Sequence, residues 1–492
     1  MSVSATLVKQ IKRIQRNIET FSHRAGGVKL RAYQLPAAKA IVKSVEEGQG
    51  LSFVVIMSRQ AGKNETQAQI EAYLLSKYRL QDVGIVKVSP TFKPQTENAM
   101  HRLDDRLDTN LLTRNAWRKR SGYQRLVGRA VMSFFSGNKR ASVVGATASL
   151  LLEVDETQDV LPEKYDKEFA PMAASTNATR VFWGTAWTTT SLLARARREA
   201  EAAEKLDGIR RVFIYDSDDV RAVLPAYGKF VDGEVARLGR NHPFIKTQFF
   251  CEELHAEGKL FNAQRMALIK TRAKPHDEPQ DGAIYAFLLD IAGQDEAVMA
   301  DPAAEMMNAG RDSTTLSIVE VDLSTIEIQS KPSYKIVHRQ AWIGQNHLTI
   351  FGKIKSLAEY WKPTKQVIDA SGVGEGLWAM LDARFTDEVI PVKFSSKVKS
   401  EIGWGFLTII ETGRFSDATD SEAARKQYVA CQSEIRPGPG KILKWSVPEN
   451  ERDTEGLLIH DDYLLADSLV AILDKLEWTL GFKTTQIKTG FS

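Results

Sequence analysis

The sequence has few cysteines, no long apolar run and little net charge. Its two cysteines, Cys251 and Cys431, stand far apart among 492 residues, which excludes a cysteine cluster with metal-ligand spacing and favours a reduced, intracellular setting. The absence of a signal-peptide core and of any run of about 18 apolar residues argues against a membrane span. The formal net charge is only +4 despite 66 Lys and Arg, so any affinity for nucleic acid must come from local patches.

The sequence also lacks a strict phosphate-loop motif, although one stretch comes close to it. Residues 51–73 read as a buried strand, a polar turn with Gly62 and Lys63, and a helix, which is the layout of such a loop. Met57 stands where the first glycine belongs, and Asn64 stands where a hydroxyl residue contacts Mg²⁺. Because the loop N–H groups and the lysine would face phosphates, Lys63 is the first candidate for nucleotide binding.

Adjacent carboxylates end a mostly apolar segment downstream of this loop. Residues 149–154 predict a strand, and Asp155 and Glu156 follow it. In phosphate-loop ATPases the first acid at such a strand tip holds Mg²⁺ and the second orients and deprotonates the attacking water. An ordinary strand end before a helix start is the alternative, but the order after the phosphate loop favours the ATPase interpretation. Thr185 follows the next predicted strand, 180–183, where its hydroxyl could sense the terminal phosphate.

Acidic residues also lie at element ends in the second half of the chain. Asp290 and Asp369 each end a predicted apolar strand. Asp461 and Asp462 open a predicted helix, 464–476. Acids that converge from strand tips and a helix start supply the carboxylate oxygens that paired divalent cations need for phosphodiester cleavage. Each acid alone could be a helix cap, and which of the two adjacent aspartates is a ligand stays open.

Other segments carry weaker predictions. Residues 4–22 predict one basic amphipathic helix, for which docking within the protein is favoured over a DNA contact. Residues 91–120 predict helix rich in Arg and Lys. Residues 216–280 contain Pro and Gly breakers and predict an irregular connecting subdomain.

Taken together, these motifs resemble the large terminase subunit of tailed bacteriophages, over roughly residues 30–480. The family's adenine motif matches Tyr33 and Gln34, and a glutamine amide suits the edge of adenine because it carries a donor and an acceptor. The family's coupling motif matches residues 184–186. The resemblance implies a nucleotide site made of Tyr33, Gln34, Arg59, Gln60, Ala61, Gly62, Lys63, Asn64 and Asp155.

The resemblance implies an α/β protein with two domains joined by a linker. These are an N-terminal phosphate-loop ATPase of the strand-inserted (ASCE) class at 1–215, a linker subdomain at 216–280, an RNase H-like nuclease at 281–482 and a tail at 483–492. Arg140 is the best candidate for an arginine supplied to a neighbouring subunit. The implied catalytic residues are Arg59, Arg140, Glu156, Thr185, Asp290, Asp369 and Asp462, and the implied metal ligands are Asp155, Asp290, Asp369, Asp461 and Asp462.

The function implied by the resemblance is ATP-driven packaging of double-stranded DNA into a capsid, with metal-dependent cutting of concatemeric DNA. The implied cofactors are ATP and Mg²⁺, with Mn²⁺ as an alternative at the nuclease site. The implied partners are DNA, a portal protein, a small terminase subunit and further copies of the chain in a ring. The implied location is the host cytoplasm and, transiently, the procapsid portal, with no membrane.

Two other functions fit parts of the sequence. A DNA helicase-nuclease of repair or restriction would need arginines in a second motor-like domain, whereas residues 281–482 contain acid-tipped strands. A DNA-binding scaffold with a decayed ATP site is consistent with Asn64, but Lys63 and the acidic pair that follows are intact. The packaging motor with a nuclease is therefore the favoured hypothesis.

Overall fold

The computed structural model describes residues 5–121, 123–138, 146–255, 257–292, 313–436 and 442–478. These residues form two compact units. The first contains residues up to 233 together with 243–255, and the second contains 234–242, 256–436 and the chain from 442 onwards. The domain boundaries drawn from the sequence at 215/216 and 280/281 stay predictions.

An eight-stranded sheet forms the centre of the first unit. Its strands are β1 Ser52–Met57, β2 Gly84–Ser89, β3 Trp117–Ser121, β4 Gln124–Val127, β5 Ala130–Ser136, β6 Leu151–Val154, β7 Thr179–Gly184 and β8 Val212–Tyr215. They lie in the order β3-β4-β5-β2-β6-β7-β1-β8. The neighbouring pairs β5-β2, β2-β6, β6-β7, β7-β1 and β1-β8 are parallel. At one edge of the sheet, β4 is antiparallel to β5 and β3 is antiparallel to β4. One strand, β7, therefore separates the phosphate-loop strand from the acid-tipped strand β6.

The two faces of this sheet pack against different sets of helices. Val181 and Trp183 of β7 lie in one apolar cluster, whereas Phe182 between them lies in the other. This alternation follows from the two-residue period of a strand. The helices of this part of the chain are α1 Ala5–Ile14, α2 Ile18–Arg24, α3 Gln34–Glu46, α4 Lys63–Lys77, α5 Glu97–Thr109, α6 Pro162–Lys164, α7 Leu192–Asp207, α8 Ser217–Val223, α9 Pro225–Leu238 and α10 Pro243–Gln248.

Two helix predictions for the first unit were too long. The segment 4–22 is two helices, because the Asn17 side chain accepts a hydrogen bond from Thr20 N at 2.8 Å and starts α2. The segment 91–120 is helical only to Thr109 in α5 and then enters β3. In the second case tertiary pairing with β4 decides the conformation over local helix propensity.

A six-stranded sheet forms the centre of the second unit. The strands of this part of the chain are β9 Glu257–Lys259, β10 Ile284–Asp290, β11 Ser313–Asp322, β12 Ser333–Ile343, β13 Lys365–Asp369, β14 Val389–Val392, β15 Phe415–Asp417, β16 Gln432–Ile435 and β17 Leu443–Ser446. The large sheet has the order β14-β13-β10-β11-β12-β15, and a small sheet has the order β17-β16-β9. β10, β11 and β12 are antiparallel neighbours, whereas β13 is parallel to β10 and β14 to β13.

The remaining helices flank these sheets. They are α11 Ala263–Ile269, α12 Ile326–Gln329, α13 His347–Trp361, α14 Gly374–Arg384, α15 Ser396–Glu411, α16 Glu422–Ala430, α17 Asp462–Ser468 and α18 Val470–Leu473. The segment 216–280, predicted to be irregular, contains four helices. Pro225 and Pro243 are the first residues of α9 and α10, a position where proline favours a helix because its missing N–H is not needed.

The two cysteines are free and buried, consistent with their wide separation in sequence. None of the described helices is both long and apolar enough to span a membrane.

Candidate nucleotide and metal sites

The loop between β1 and α4 encloses a cavity of about 500 Å³. Gly62 adopts a left-handed conformation with φ 91°, and a Cβ at this position would lie 2.6 Å from Gln34 Nε2. The backbone conformation therefore favours glycine at this position, and any larger residue would also displace the Gln34 amide. Most of the residues predicted for the phosphate end of the site line this cavity, namely Arg59, Gln60, Gly62, Lys63, Asn64, Glu156 and Thr185.

Lys63 contacts both acids that follow β6. Its Nζ lies 3.0 Å from Asp155 Oδ1 and donates to Glu156 Oε1 at 2.5 Å. Burial by itself would lower the pKa of Lys63, but the two carboxylates outweigh burial and raise it. Burial would likewise raise the pKa of Asp155, but Lys63, Lys87 and a hydrogen bond from Gln67 outweigh it and lower the pKa to about 2. Lys63 and Asp155 are therefore both charged, and Lys63 contacts the two acids together.

The acidic pair is held in one geometry. Gln67 Nε2 donates to Asp155 Oδ1 at 3.0 Å, and Glu156 N donates to the same oxygen at 3.0 Å. Glu156 has φ 44° and ψ 48°, a left-handed conformation that is unfavourable for a non-glycine residue. Gln158 Nε2 donates to Glu156 Oε2 at 2.7 Å. Such strain is typical of a functional position whose side chain must point in a fixed direction.

Thr185, at the tip of β7, is linked to the acidic pair through glutamine. Gln158 Oε1 accepts a hydrogen bond from Thr185 N at 3.2 Å. Gln248 Nε2 lies 3.5 Å from Thr185 Oγ1, and Gln248 O accepts a hydrogen bond from Arg59 N at 2.7 Å. This chain of contacts connects the strand tip to the phosphate loop. The predicted coupling role of Thr185 stays a prediction.

Tyr33 and Gln34 brace the phosphate loop from outside the cavity. Tyr33 Oη donates to Ala61 O at 2.6 Å, and Gln34 Nε2 donates to Gly62 O at 3.0 Å. Gln34 Oε1 accepts a hydrogen bond from Arg31 N at 2.8 Å. Neither residue lines the cavity. The predicted adenine contact stays a prediction, but the contacts observed here are structural ones to the loop backbone.

Residues that sequence reasoning missed also line the cavity, among them Glu65, Arg102 and Gln248. Arg102 Nη1 lies 3.7 Å from Glu65 Oε2, and Arg106 Nε lies 3.6 Å from Glu65 Oε1. The two arginines are four residues apart on α5 and so share a face, a signal that the sequence did contain. Arg140, predicted to act in a neighbouring site, lies outside the described residues.

A buried polar network lies beneath the acidic pair. Lys87 Nζ donates to Glu71 Oε1 at 2.7 Å and to Gln67 Oε1 at 3.0 Å. Glu153 Oε1 accepts a hydrogen bond from Trp183 Nε1 at 2.9 Å. Burial and the nearby charge of Glu71 raise the pKa of Glu153 well above its usual value. The signal for this network was a lysine and a glutamate inside otherwise apolar strands, which sequence reasoning did not use.

Two of the predicted acids of the second unit lie at neighbouring strand ends. Asp290 ends β10 and Asp369 ends β13, and these strands are parallel neighbours in which Leu289 pairs with Ile368. Burial, followed by the charges of Asp462, Asp369 and Asp461, raises the pKa of Asp290 well above its usual value. Burial also raises the pKa of Asp369, although a hydrogen bond from Ser371 and the charge of Lys399 oppose it.

The two adjacent aspartates face different partners. Asp462 Oδ2 accepts hydrogen bonds from Ser313 N at 2.8 Å and Ser313 Oγ at 2.6 Å. Asp461 Oδ2 lies 3.8 Å from Lys399 Nζ. The helix that carries both, α17, is fixed by Asp467, which pairs with the buried Arg339 guanidinium at 2.7 Å.

The chemistry of these acids fits a hard divalent cation, but their spacing does not yet form a coordination shell. Among the described residues, no three His, Cys, Asp or Glu side chains lie close enough together to hold a metal ion. Carboxylate oxygens are nevertheless the ligands that Mg²⁺ and Ca²⁺ prefer. A cation would also relieve the mutual repulsion that contributes to the raised pKa of Asp290. The ligand roles of Asp290, Asp369, Asp461 and Asp462 stay predictions.

Residues 298–469 match the family model described as the terminase RNase H-like domain. No curated protein matches the chain. This family match confirms the resemblance to the large terminase subunit for the C-terminal region and the predicted RNase H-like class of that region. In the first unit, β7 lies between β1 and β6, which confirms the predicted strand-inserted class of phosphate-loop fold.

Several solved structures are similar at low identity. A large terminase from a thermophilic bacteriophage is 12% identical, with a TM-score of 0.45, over 91% of this chain and 99% of that chain. The HK97 bacteriophage large terminase is 12% identical, with a TM-score of 0.42, over 93% of this chain and 99% of that chain. The large terminase nuclease from thermophilic phage G20c with bound magnesium is 16% identical, with a TM-score of 0.32, over 44% of this chain and 96% of that chain.

Proposed function

Taking the C-terminal region as a terminase RNase H-like domain, we propose that the chain is the motor and nuclease of a bacteriophage DNA-packaging machine. It hydrolyses ATP to move double-stranded DNA into a capsid and cuts concatemeric DNA at its second site. One observation carries this proposal. The same chain holds a phosphate loop whose Lys63 is assembled with Asp155 and Glu156, and a separate group of aspartates at the strand tips of the terminase-type region.

In the ATPase site each residue has a distinct task. Lys63 and Arg59 grip the phosphates at the cavity wall, and Asp155 holds Mg²⁺, which supplies charge that stabilises the transferring phosphoryl group. Glu156 orients the attacking water and accepts its proton, from a position fixed by Gln158. Asn64 offers an amide oxygen in place of a hydroxyl. Thr185 senses whether the terminal phosphate is present and couples its loss to the segments that contact DNA.

In the nuclease site the four aspartates supply oxygen ligands. Asp290 and Asp369 approach from parallel strand ends, while Asp461 and Asp462 approach from the start of α17. The divalent cations, Mg²⁺ or Mn²⁺, supply charge that stabilises the attacking and leaving oxygens. Arg339, bound to Asp467, fixes the helix whose start carries Asp461 and Asp462, the residues that would hold the cations together with the two strand-end acids.

Partners follow from this function. Double-stranded DNA is the substrate of both activities, and a portal protein and a small terminase subunit connect the chain to the capsid and to the packaging start. Further copies form the ring in which Arg140 acts on the neighbouring ATP site. The chain works in the host cytoplasm, transiently at the procapsid portal.

Cleavage of supercoiled plasmid tests the nuclease half of the proposal. The full chain should nick plasmid in Mg²⁺ or Mn²⁺ but not in EDTA, and Asp369→Ala should abolish nicking. Glu375→Gln is the matched control, because Glu375 is an exposed acid nearby that only pairs with Lys393. Metal-dependent nicking that survives in Asp369→Ala would contradict the assigned site.

Phosphate release from ATP, with and without DNA, tests the motor half. The chain should hydrolyse ATP faster when DNA is present, and Glu156→Gln should remove the hydrolysis while leaving nucleotide binding. Glu163→Gln, at an exposed position just downstream, serves as the control. Binding of DNA without any hydrolysis would instead identify a scaffold with a decayed ATP site.

A further inference from the structure

A small basic cavity lies next to the aspartates of the second unit. It has a volume of about 170 Å³, and its walls include Ser396, Lys399, Arg436, Lys444, Trp445 and Ser446. Its lining residues include three cations and no acid. This composition is unlike that of the neighbouring carboxylate group and favours an anionic ligand.

Lys399 connects the cavity to the aspartates. Its Nζ lies 3.8 Å from Asp461 Oδ2 and 5.1 Å from the centre of the Trp445 ring. Trp445 Nε1 donates to Lys399 O at 2.9 Å, so the indole fixes both ends of the lysine. Gly403 makes room for this arrangement, because a Cβ there would lie 2.4 Å from Trp445 Nε1. The ammonium is thus held between the cavity and the acids.

Arg436 and Lys444 supply the other two positive charges of the cavity wall. Both side chains are exposed, and neither forms an ion pair with any acid in the described part of the chain. Their backbones are fixed by the β16–β17 pairing, in which Ile435 lies opposite Leu443, and by the hydrogen bond from Arg436 N to Ile442 O at 2.9 Å. Arg436 and Lys444, one beside and one on the paired strands β16 and β17, are therefore available for a ligand.

We propose that this cavity, defined by Lys399, Arg436 and Lys444, binds backbone phosphates of the DNA strand that the aspartates cut. The inference rests on the proposed nuclease function. A group of four carboxylates repels DNA, so a nearby set of fixed cations is needed to hold the backbone against it. Phosphate contacts of this kind position a strand without reading its sequence. Lys399 contacts the phosphate nearest the cut, and the other two hold phosphates further along.

Salt-dependent binding of the full chain to a duplex in EDTA tests this assignment without requiring catalysis. The variants are Lys399→Ala and the double variant Arg436→Ala/Lys444→Ala. The control is Lys397→Ala, because Lys397 lies on the same helix but is 81% exposed and only 3.9 Å from Glu401. Each lost phosphate contact should remove about one unit of the slope of log Kd against log salt. The ratio of the variant's Kd to the parent's Kd should therefore fall about threefold per lost contact as the salt concentration rises from about 50 to 200 mM.

Plasmid nicking at increasing enzyme concentration provides the second readout. The double variant should need more enzyme for half-maximal nicking but reach the parent's maximal rate, whereas Lys399→Ala should also lower the maximal rate and Lys399→Arg should restore part of it. A thermal unfolding profile equal to the parent's would confirm that the variants are folded.

The proposal is overturned if the double variant and Lys399→Ala show the same slope of log Kd against log salt as Lys397→Ala. An acidic protein segment would then be the better candidate for the ligand of the cavity. A parent chain that binds DNA with the predicted slope changes but never nicks it would refute the nuclease and leave the phosphate contacts standing. A parent that nicks normally, with slopes unchanged in every variant, would refute the phosphate contacts alone.

Discussion

The two acidic sites of this chain solve the same electrostatic problem in opposite ways. In the first unit, Lys63 neutralises the acids, and the pKa of Asp155 falls to about 2. In the second unit, acids face other acids, and the pKa of Asp290 rises well above its usual value. The acids of the first site are therefore neutralised by a cation of the chain itself, whereas the acids of the second site raise one another's pKa.

The origin of the difference lies in which elements meet at each site. The acids after β6 adjoin the phosphate loop, and Gln67 from α4 together with Lys87 from β2 adds further support. At the second site the nearest cation is Lys399, 3.8 Å from Asp461. A fixed lysine suits a site for a phosphate-bearing ligand, whereas acids that face one another favour a divalent cation.

Removing the cation of the first site should give the largest effect. Lys63→Met should lower ATP hydrolysis by about 10²- to 10³-fold and the free energy of unfolding by about 3–5 kcal/mol, because it leaves a buried carboxylate without its partner. Plasmid nicking should persist. Lys77→Met, at the other end of α4 in a half-exposed ion pair with Glu46, should change neither activity. An equal loss of ATP hydrolysis in Lys63→Met and Lys77→Met would show that Lys63 has no specific role at the first site.

Removing an acid from the second site should stabilise the fold, whereas removing Lys63 from the first site should destabilise it. Asp290→Asn should raise the unfolding temperature in EDTA, by about 2–4 °C for each kcal/mol of repulsion relieved, and should abolish nicking. Divalent cations should stabilise the parent and not the variant. Thermal unfolding with and without Mg²⁺ measures both effects. Destabilisation of Asp290→Asn in EDTA would show that the aspartates are not repelling one another.

A smaller effect is expected from the residue that supports the acidic pair. Gln67→Leu removes a hydrogen bond to the Asp155 carboxylate, a type of contact that contributes about 1.5–3 kcal/mol, and should slow ATP hydrolysis about tenfold or more. Ser76→Ala, also buried on α4 but bonded to Gln15, should leave hydrolysis unchanged. Loss of stability without a change in hydrolysis would make Gln67 a purely structural residue.

The two sites should also respond to pH in opposite directions. The lowered pKa of Asp155 contributes stability that is present above its ordinary value of 3.8 and is lost as pH falls toward about 2. The raised pKa of Asp290 means that the folded chain holds a proton that the unfolded chain releases, so stability falls as pH rises above 3.8. In EDTA, the stability difference between Asp290→Asn and the parent should grow from about pH 4 upward, with a slope of at most about 1.4 kcal/mol per pH unit. A constant difference would contradict the raised pKa.

The elements predicted from sequence were those whose signal is local. The phosphate loop, the acids after β6 and the acidic ends of β10 and β13 each follow a short apolar run, and the strand is visible in the same few residues as the side chain it positions. Their order along the chain then supported a family resemblance. The distant acids were joined into one hypothesis because each lies at the end of a strand or the start of a helix, and the resemblance added a function to that hypothesis.

The features that sequence reasoning missed depend on contacts between distant residues. Lys87 and Glu71 meet only because β2 packs under α4, and Lys399 reaches Asp461 across 62 residues of sequence. Gln34 was predicted to contact adenine from its side-chain chemistry, but its amide groups bond to the loop and to Arg31. Nothing in the local pattern distinguishes these partners.

The position of β3 at the edge of the eight-stranded sheet has a consequence for solubility. An edge strand has unpaired backbone groups that can join the sheet of another molecule. In β3 the central residues are Arg118, Lys119 and Arg120, and all three are exposed. Two such edges would bring six positive charges together, which opposes edge-to-edge aggregation of the kind that long apolar edge strands promote.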